Sequence, residues 1–125
     1  MRYTNQQLEA MANSLDPVLK SRTLVGYKAA VNMRAIMDAL AAYMEFKDGL
    51  IREYGTEIKD DSGRVVNFAV TPECDGYQVF LQRLGEVSEI EHEVEVMMAH
   101  PDDVIGVLSG EEIMAIDWMM EHGEE

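Results

Sequence analysis

Between Leu24 and Tyr54 the chain repeats an apolar or long side chain every three or four residues: Leu24, Tyr27, Val31, Met33, Ile36, Met37, Leu40, Tyr43, Met44, Lys47, Leu50, Ile51 and Tyr54. That period lines side chains along one face of an α-helix and fits no strand. A helix is therefore expected over 21–54, and at 1.5 Å per residue some 30 residues span roughly 45 Å. Gly55 is expected to end it in the left-handed conformation. In a chain of 125 residues, an element this long is a spine on which shorter pieces pack.

The shorter pieces follow from caps and turns. Thr4-Asn5-Gln6-Gln7 has the form of a capping box, and Leu8, Met11, Ala12 and Leu15 follow at helical spacing, so a helix is expected over 5–15. Asp16-Pro17 ends it. The turn cluster Asp60-Asp61-Ser62-Gly63 lies between residues that favour extended structure, which predicts a hairpin of 57–60 with 64–69. Thr71 followed by Pro72, Glu73 and Asp75 reads as the start of a helix over 72–87, striped by Tyr77, Phe80, Leu81 and Leu84. Residues 89–96 fit two patterns. As a strand, Ile90, His92, Val94 and Val96 face one way and Glu89, Glu91, Glu93 and Glu95 the other. As a helix, Ile90, Val94, Met97 and Met98 align. The alternation and the β-branched residues favour a strand over 91–98. His100-Pro101-Asp102-Asp103 turns the chain, and Val104 to Leu108 reads as extended. Ser109-Gly110-Glu111-Glu112 is a second capping box, opening a helix over 110–122 that Gly123 closes. The expected fold is α+β and predominantly helical, with one long central helix, shorter helices packed on it and a small antiparallel sheet or hairpin.

The length fits a single domain, 1–125, with 47% apolar and 27% charged residues, an ordinary globular composition. No apolar run reaches the roughly 20 residues of a membrane span, and residues 1–20 lack the basic start and apolar core of a signal peptide. The expected location is the cytoplasm. Charge is distributed unevenly. Over residues 1–70 nine Lys/Arg balance nine Asp/Glu, whereas over 71–125 Arg83 stands alone against fifteen acids. The formal net charge of −14 thus belongs to the acidic half, 71–125, and the half 1–70 is neutral. An acidic half disfavours direct contact with nucleic acid or an anionic membrane and favours basic partners, metal ions or simple solubility.

Enzyme signatures are missing: no G-x-S-x-G, no Gly-rich phosphate loop and no H-E-x-x-H. The single Cys74 excludes an intramolecular disulfide. It falls in the first turn of the helix expected over 72–87, where a thiol is activated, and His92 or His100 would have to pair with it; acidic neighbours oppose the thiolate. His92 cannot share a metal site with Glu91 and Glu93, which point the other way. His100 with Asp102 and Asp103 is geometrically easier, but no calcium-loop pattern is present. No catalytic residue, cofactor or metal is expected. Ten methionines fit core packing between the long helix and the last one, with Met97, Met98, Met114, Met119 and Met120 near the C-terminus, or an adaptable binding groove. Trp118 either seals that core or anchors a partner.

The Glu89, Glu91, Glu93, Glu95 ladder is the sharpest candidate site. Alternate strand residues lie about 6.5–7 Å apart, a step comparable to that between phosphates along a nucleic-acid strand. Glu86, Asp102, Asp103, Glu111 and Glu112 would extend the field. The plain alternative is a solvated edge strand whose charges prevent edge-to-edge association.

In the order of its motifs the chain resembles a group of small phage and prophage proteins of unassigned function. The residues concerned are Thr4-Asn5-Gln6-Gln7-Leu8, Asn32-Met33-Arg34, Arg52-Glu53-Tyr54-Gly55, Asp60-Asp61-Ser62-Gly63-Arg64-Val65, the helix around Tyr77 and Phe80, Glu93-Val94-Glu95-Val96, and Leu108-Ser109-Gly110-Glu111-Glu112-Ile113-Met114. The resemblance implies a viral or prophage origin and supplies no catalytic residues. With it, the expected function is that of a non-enzymatic interaction protein inhibiting a host defence complex through an acidic, phosphate-imitating surface. The alternatives are a virion-assembly chaperone or minor structural protein, with homo-oligomers possible, and a small-nucleotide sponge using Arg22, Lys28, Arg34, Lys47 and Arg52. Far-ultraviolet circular dichroism is expected to show at least about one-third helix, a typical globular share.

Overall fold

A computed structural model describes residues 1–121; the expected helix end at His122 and Gly123 lies outside the described residues. The elements are β1 (Arg2–Thr4), α1 (Asn5–Leu15), α2 (Leu24–Tyr54), β2 (Thr56–Lys59), β3 (Val65–Ala69), α3 (Tyr77–Ser88), β4 (Glu91–Glu93), α4 (Pro101–Val104) and α5 (Gly110–Ala115), with 3-10 turns at Val18–Lys20 and Asp117–Met119. The fold is α+β and predominantly helical: one long helix, shorter helices packed on it, and two antiparallel two-stranded sheets, β1 with β4 and β2 with β3. The chain forms two compact units, Met1–Leu40 with the chain from Glu91 onward, and Ala41–Ile90. Among the described residues no helix is long and apolar enough to cross a membrane.

The first unit begins as its sequence requires. Thr4 Oγ1 accepts from the Gln7 amide at 3.1 Å and Gln7 Oε1 from the Thr4 amide at 2.8 Å, so both orphan donors at the start of α1 are met. Leu8, Met11, Ala12 and Leu15 of α1 are buried with Val25, Ala29, Ile36 and Leu40 of α2. α2 starts at Leu24 rather than 21: Ser21 is extended, its hydroxyl bonds that of Thr23 at 2.7 Å, and the Thr23 carbonyl accepts from Tyr27 at 3.2 Å.

The acidic half departs most from expectation. The strand expected over 91–98 is only Glu91–Glu93, in register Arg2↔Glu93, Tyr3↔His92 and Thr4↔Glu91. Sequence patterning sees Thr4 as a cap and misses β1 altogether. Beyond β4 the backbone finds other partners. The Val94 amide donates to the Met1 carbonyl at 3.1 Å. The Met97 amide donates to Asn32 Oδ1 at 2.7 Å and the Met97 carbonyl accepts from Asn32 Nδ2 at 3.0 Å. A side chain of α2 thus stands where a neighbouring strand would.

Two further segments are corrected. Val104 to Leu108 is a closed turn, not extended: the Val107 and Leu108 amides both reach the Val104 carbonyl at 3.0 Å, and Gly106 supplies the φ of +76°. The last helix opens as expected, with Ser109 Oγ accepting from Glu112 at 3.1 Å and Glu112 Oε1 from Ser109 at 2.8 Å. It stops at Ala115 instead of running through the described residues toward 122. Ile116 leaves helical geometry (φ −102°, ψ 21°), and the 3-10 turn that follows buries Ile116, Met119 and Met120. Backbone bonds from Ala99 to Met119 at 2.7 Å and from Glu121 to Ala99 at 2.8 Å replace those a continued helix would make. Met119 and Met120 thus join the core, whereas Met97, Met98 and Met114 are exposed.

In the second unit the hairpin forms where expected, its turn held by Asp60 Oδ1 accepting from Ser62 at 2.9 Å and Arg64 at 3.0 Å, with Gly63 at φ +83°. Gly55 does not take the left-handed conformation. Its role is close approach: a Cβ there would run into the Ile51 carbonyl oxygen and meet the Ala69 carbonyl oxygen at 2.9 Å. α3 starts at Tyr77, not Pro72, because successive turns from Thr71 to Cys74 (3.0 Å) and Cys74 to Tyr77 (3.1 Å) take the amides first. Gly76 precedes the helix and packs on the Tyr54 ring, which leaves no room for a Cβ. Tyr43, Leu50 and Phe80 are buried here.

Asn32 is 1% exposed and its carboxamide satisfies both groups of Met97. Asn32→Ala is expected to lower stability by about 2–3 kcal/mol, the cost of leaving buried polar groups unpaired, read as a drop in the urea midpoint at unchanged slope.

Candidate functional site

Alternation begins at Glu91 and runs through Val96. Glu91, Glu93 and Glu95 are exposed, Val94 is buried, and His92 and Val96 are half-buried. His92 Nε2 lies 2.9 Å from Oδ1 of the buried Asn5, which orients the ring inward. The expected four-carboxylate ladder is therefore three carboxylates long. Glu89 is the C-cap of α3 with φ −94° and ψ 0°, and it belongs to the second unit. Helical geometry persists through it, so it takes no part in the strand alternation.

The three remaining acids differ in their partners. Glu91 Oε1 lies 3.2 Å from Arg2 Nε, and Glu93 Oε1 lies 3.1 Å from the N-terminal ammonium. All four groups are more than half exposed, so each pair contributes little and exchanges readily with another cation. Glu95 makes no ion pair among the described residues. It borders a cleft of about 380 Å³ lined by Met1, Tyr3, Val94, Val96, Met98 and Trp118. Trp118 is half-buried, and its Nε1 donates to Ser14 Oγ in α1 at 2.9 Å. It packs against α1 and lines the cleft. Sequence reasoning missed Tyr3 and Met98 as cleft residues; both depend on the β1–β4 pairing, which no local pattern announces.

The other acids expected in the field serve the fold or stand apart. Asp103 Oδ2 accepts from Lys28 Nζ at 2.8 Å and from the His100 amide at 2.9 Å, and it is only 14% exposed as a side chain. It is therefore a strut between α4 and α2, unavailable to a partner. The Lys28 hydrogen bond, then that of the His100 amide, holds its carboxyl below the usual carboxylate range. Glu112 is engaged as the reciprocal cap of Ser109. Asp102 and Glu111 remain exposed in the first turns of α4 and α5. The Asp102 amide lies 3.1 Å from His100 Nδ1, which caps α4.

Cys74 lies in the turn before α3, not in the first turn of a helix. Its Sγ is 3.3 Å from Thr56 Oγ1 and 3.5 Å from the Thr71 amide. The Thr56 hydroxyl, then the Thr71 amide, lowers the thiol pKa, while Glu73 opposes this. Of the five basic residues considered for a nucleotide site, three are engaged locally: Lys28 with Asp103, Arg52 with Asp48 at 3.8 Å and over the Phe68 ring, and Lys47 over the Tyr43 ring; Arg22 and Arg34 are exposed. Among the described residues, no three His, Cys, Asp or Glu side chains converge as metal ligands.

The molecule is thus an α+β protein whose first unit presents a short acidic extended segment beside an apolar cleft. No family model matches the chain, and no curated protein or solved structure matches it.

A carboxyl with a lowered native pKa adds stability above its unfolded value of about 3.9. That stability is lost as pH falls through the native value. Urea midpoints measured from pH 6 to pH 2 are expected to fall less steeply on the acid side for Asp103→Asn than for the parent chain.

Proposed function

We propose that this protein is a non-enzymatic, phage- or prophage-encoded interaction protein that acts in the host cytoplasm by occupying the basic, nucleic-acid-binding surface of a host defence complex. The observation that carries this reading is the outward row Glu91, Glu93 and Glu95, with the intervening residues turned inward. Its carboxylates step at about 6.5–7 Å, a spacing that imitates successive backbone phosphates. Glu95 is unpaired among the described residues, and the exposed pairs of Glu91 and Glu93 are weak enough to be exchanged for lysines or arginines of the partner. Asp102 and Glu111 add to the long-range field that speeds encounter. Glu89, Asp103 and Glu112 are left out of the contact surface, and Trp118 is kept at its border.

One observation favours the rival reading, a virion-assembly or self-associating protein: Tyr27 and Met37 of α2 are 63% and 45% exposed. A nucleotide sponge has less support, since Lys28 is held by Asp103.

The discriminating experiment is affinity capture from host lysate, washed at low salt and at about 0.5 M, where exposed charges are screened within a few ångströms. A basic nucleic-acid-binding complex is expected at low salt and lost at high salt. The E91Q/E93Q/E95Q variant is expected to capture it at least about tenfold less well, a loss of roughly 1.4 kcal/mol. Undiminished capture by that variant would falsify phosphate imitation. Salt-resistant capture of capsid or tail proteins would support assembly instead.

A further inference from the structure

We infer that the cleft beside Glu95 is a docking site for one apolar side chain, of leucine or methionine size, carried on a lysine- or arginine-rich segment of a protein partner. The inference rests on the proposed acidic contact surface and specifies what that surface recognises. The cleft is about 380 Å³, at the small end of ligand sites, which suits a side chain with its flanking backbone. Its walls are held before any partner arrives. On one side β1 pairs with β4, and the Val94 amide continues the pairing to Met1. Asn32 fixes Met97 next to Met98, and Ser14 fixes the Trp118 indole by its N–H. A pinned aromatic wall and an adaptable methionine, Met98 at 39% exposure, are the usual makings of a pocket for an anchoring residue.

Charge selects the occupant. Glu95 borders the cleft without an ion pair among the described residues; Glu93 and Glu91 follow on the same outward side, their exposed pairs with the Met1 ammonium and Arg2 weak enough to be exchanged for a partner's cations. A second copy of this chain is a poor occupant of the site. Meeting the site through the same acidic half, it would bring Arg83 alone among fifteen acids, setting like charges together. Flanking lysines or arginines instead meet the carboxylates while the apolar residue enters the cleft.

Trp118 is the single tryptophan, so its emission reports on the cleft directly. The probe is a nine-residue peptide, blocked at both ends, of alternating glycine and lysine with a leucine at its centre; the control has glycine at that centre. Both are titrated into the full chain at about 20 mM salt, where charge attraction is strong, with emission and calorimetry read together. The leucine peptide is expected to give a saturable change in Trp118 emission and to bind at least about tenfold more tightly than the control, a difference of roughly 1.4 kcal/mol. Met98→Asp, at an exposed wall position, is expected to abolish that preference, with the fold checked by circular dichroism. Equal binding of the two peptides by the parent chain, or a leucine preference that survives in Met98→Asp, overturns the cleft assignment. If the peptides bind equally and both weaken in E91Q/E93Q/E95Q, the cleft fails while the acidic-surface reading stands. If neither binds, the cleft assignment is wrong.

Discussion

The architecture of the first unit depends on one carboxamide. Asn32 sits within the buried stripe of α2, between Ala29 and Ile36, where an apolar residue would be the default. Its carboxamide sets an N–H beside a C=O in the same spacing as a peptide group and has a second N–H to spare. The Met97 backbone bonds to it as it would to a neighbouring strand, and Nδ2 also lies 3.4 Å from Met119 Sδ. One side chain therefore ties both the acidic segment and the terminal turn to the long helix. An unmade bond at such a site costs about 1–3 kcal/mol, a large share of a domain's stability.

That clamp also decides which side of the acidic segment meets solvent. With Met97 fixed at one end and the β1–β4 pairing at the other, Val94 goes inward and Glu91, Glu93 and Glu95 go outward. A one-residue slip would bury the carboxylates, which desolvation forbids. The outward acids and the apolar cleft beside Glu95 are two consequences of the same register. The proposed function draws on the first, carboxylates for basic residues of a partner, and the further inference on the second, a cleft for an apolar one.

The acids of the second half do different kinds of work despite their similar appearance in sequence. Asp103 is consumed by Lys28 and the His100 amide, and Glu112 by the Ser109 amide. Glu91, Glu93 and Glu95 face outward with weak partners or none among the described residues. Charge density along a chain thus overstates the charge available to a partner. A carboxylate that receives two internal hydrogen bonds is part of the scaffold.

The features legible in the sequence were those whose cause lies within a few residues. The α2 stripe, the Thr4–Gln7 and Ser109–Glu112 caps, and the Asp60–Gly63 turn all rest on contacts no more than about one helical turn apart along the chain, so composition and spacing determine them. The exposed faces of Glu91, Glu93 and Glu95 were legible for the same reason, since alternation is local. Tertiary structure decided the rest. Strand β1, the early end of α5, the close approach at Gly55, the Lys28–Asp103 strut and the cleft walls each need partners far off in sequence. Arg2 pairs with Glu93 and Asn32 holds Met97. Such contacts form only when the gain from packing and satisfied hydrogen bonds exceeds the entropy of closing a long loop. That balance belongs to the whole fold, and no window of neighbouring residues contains it.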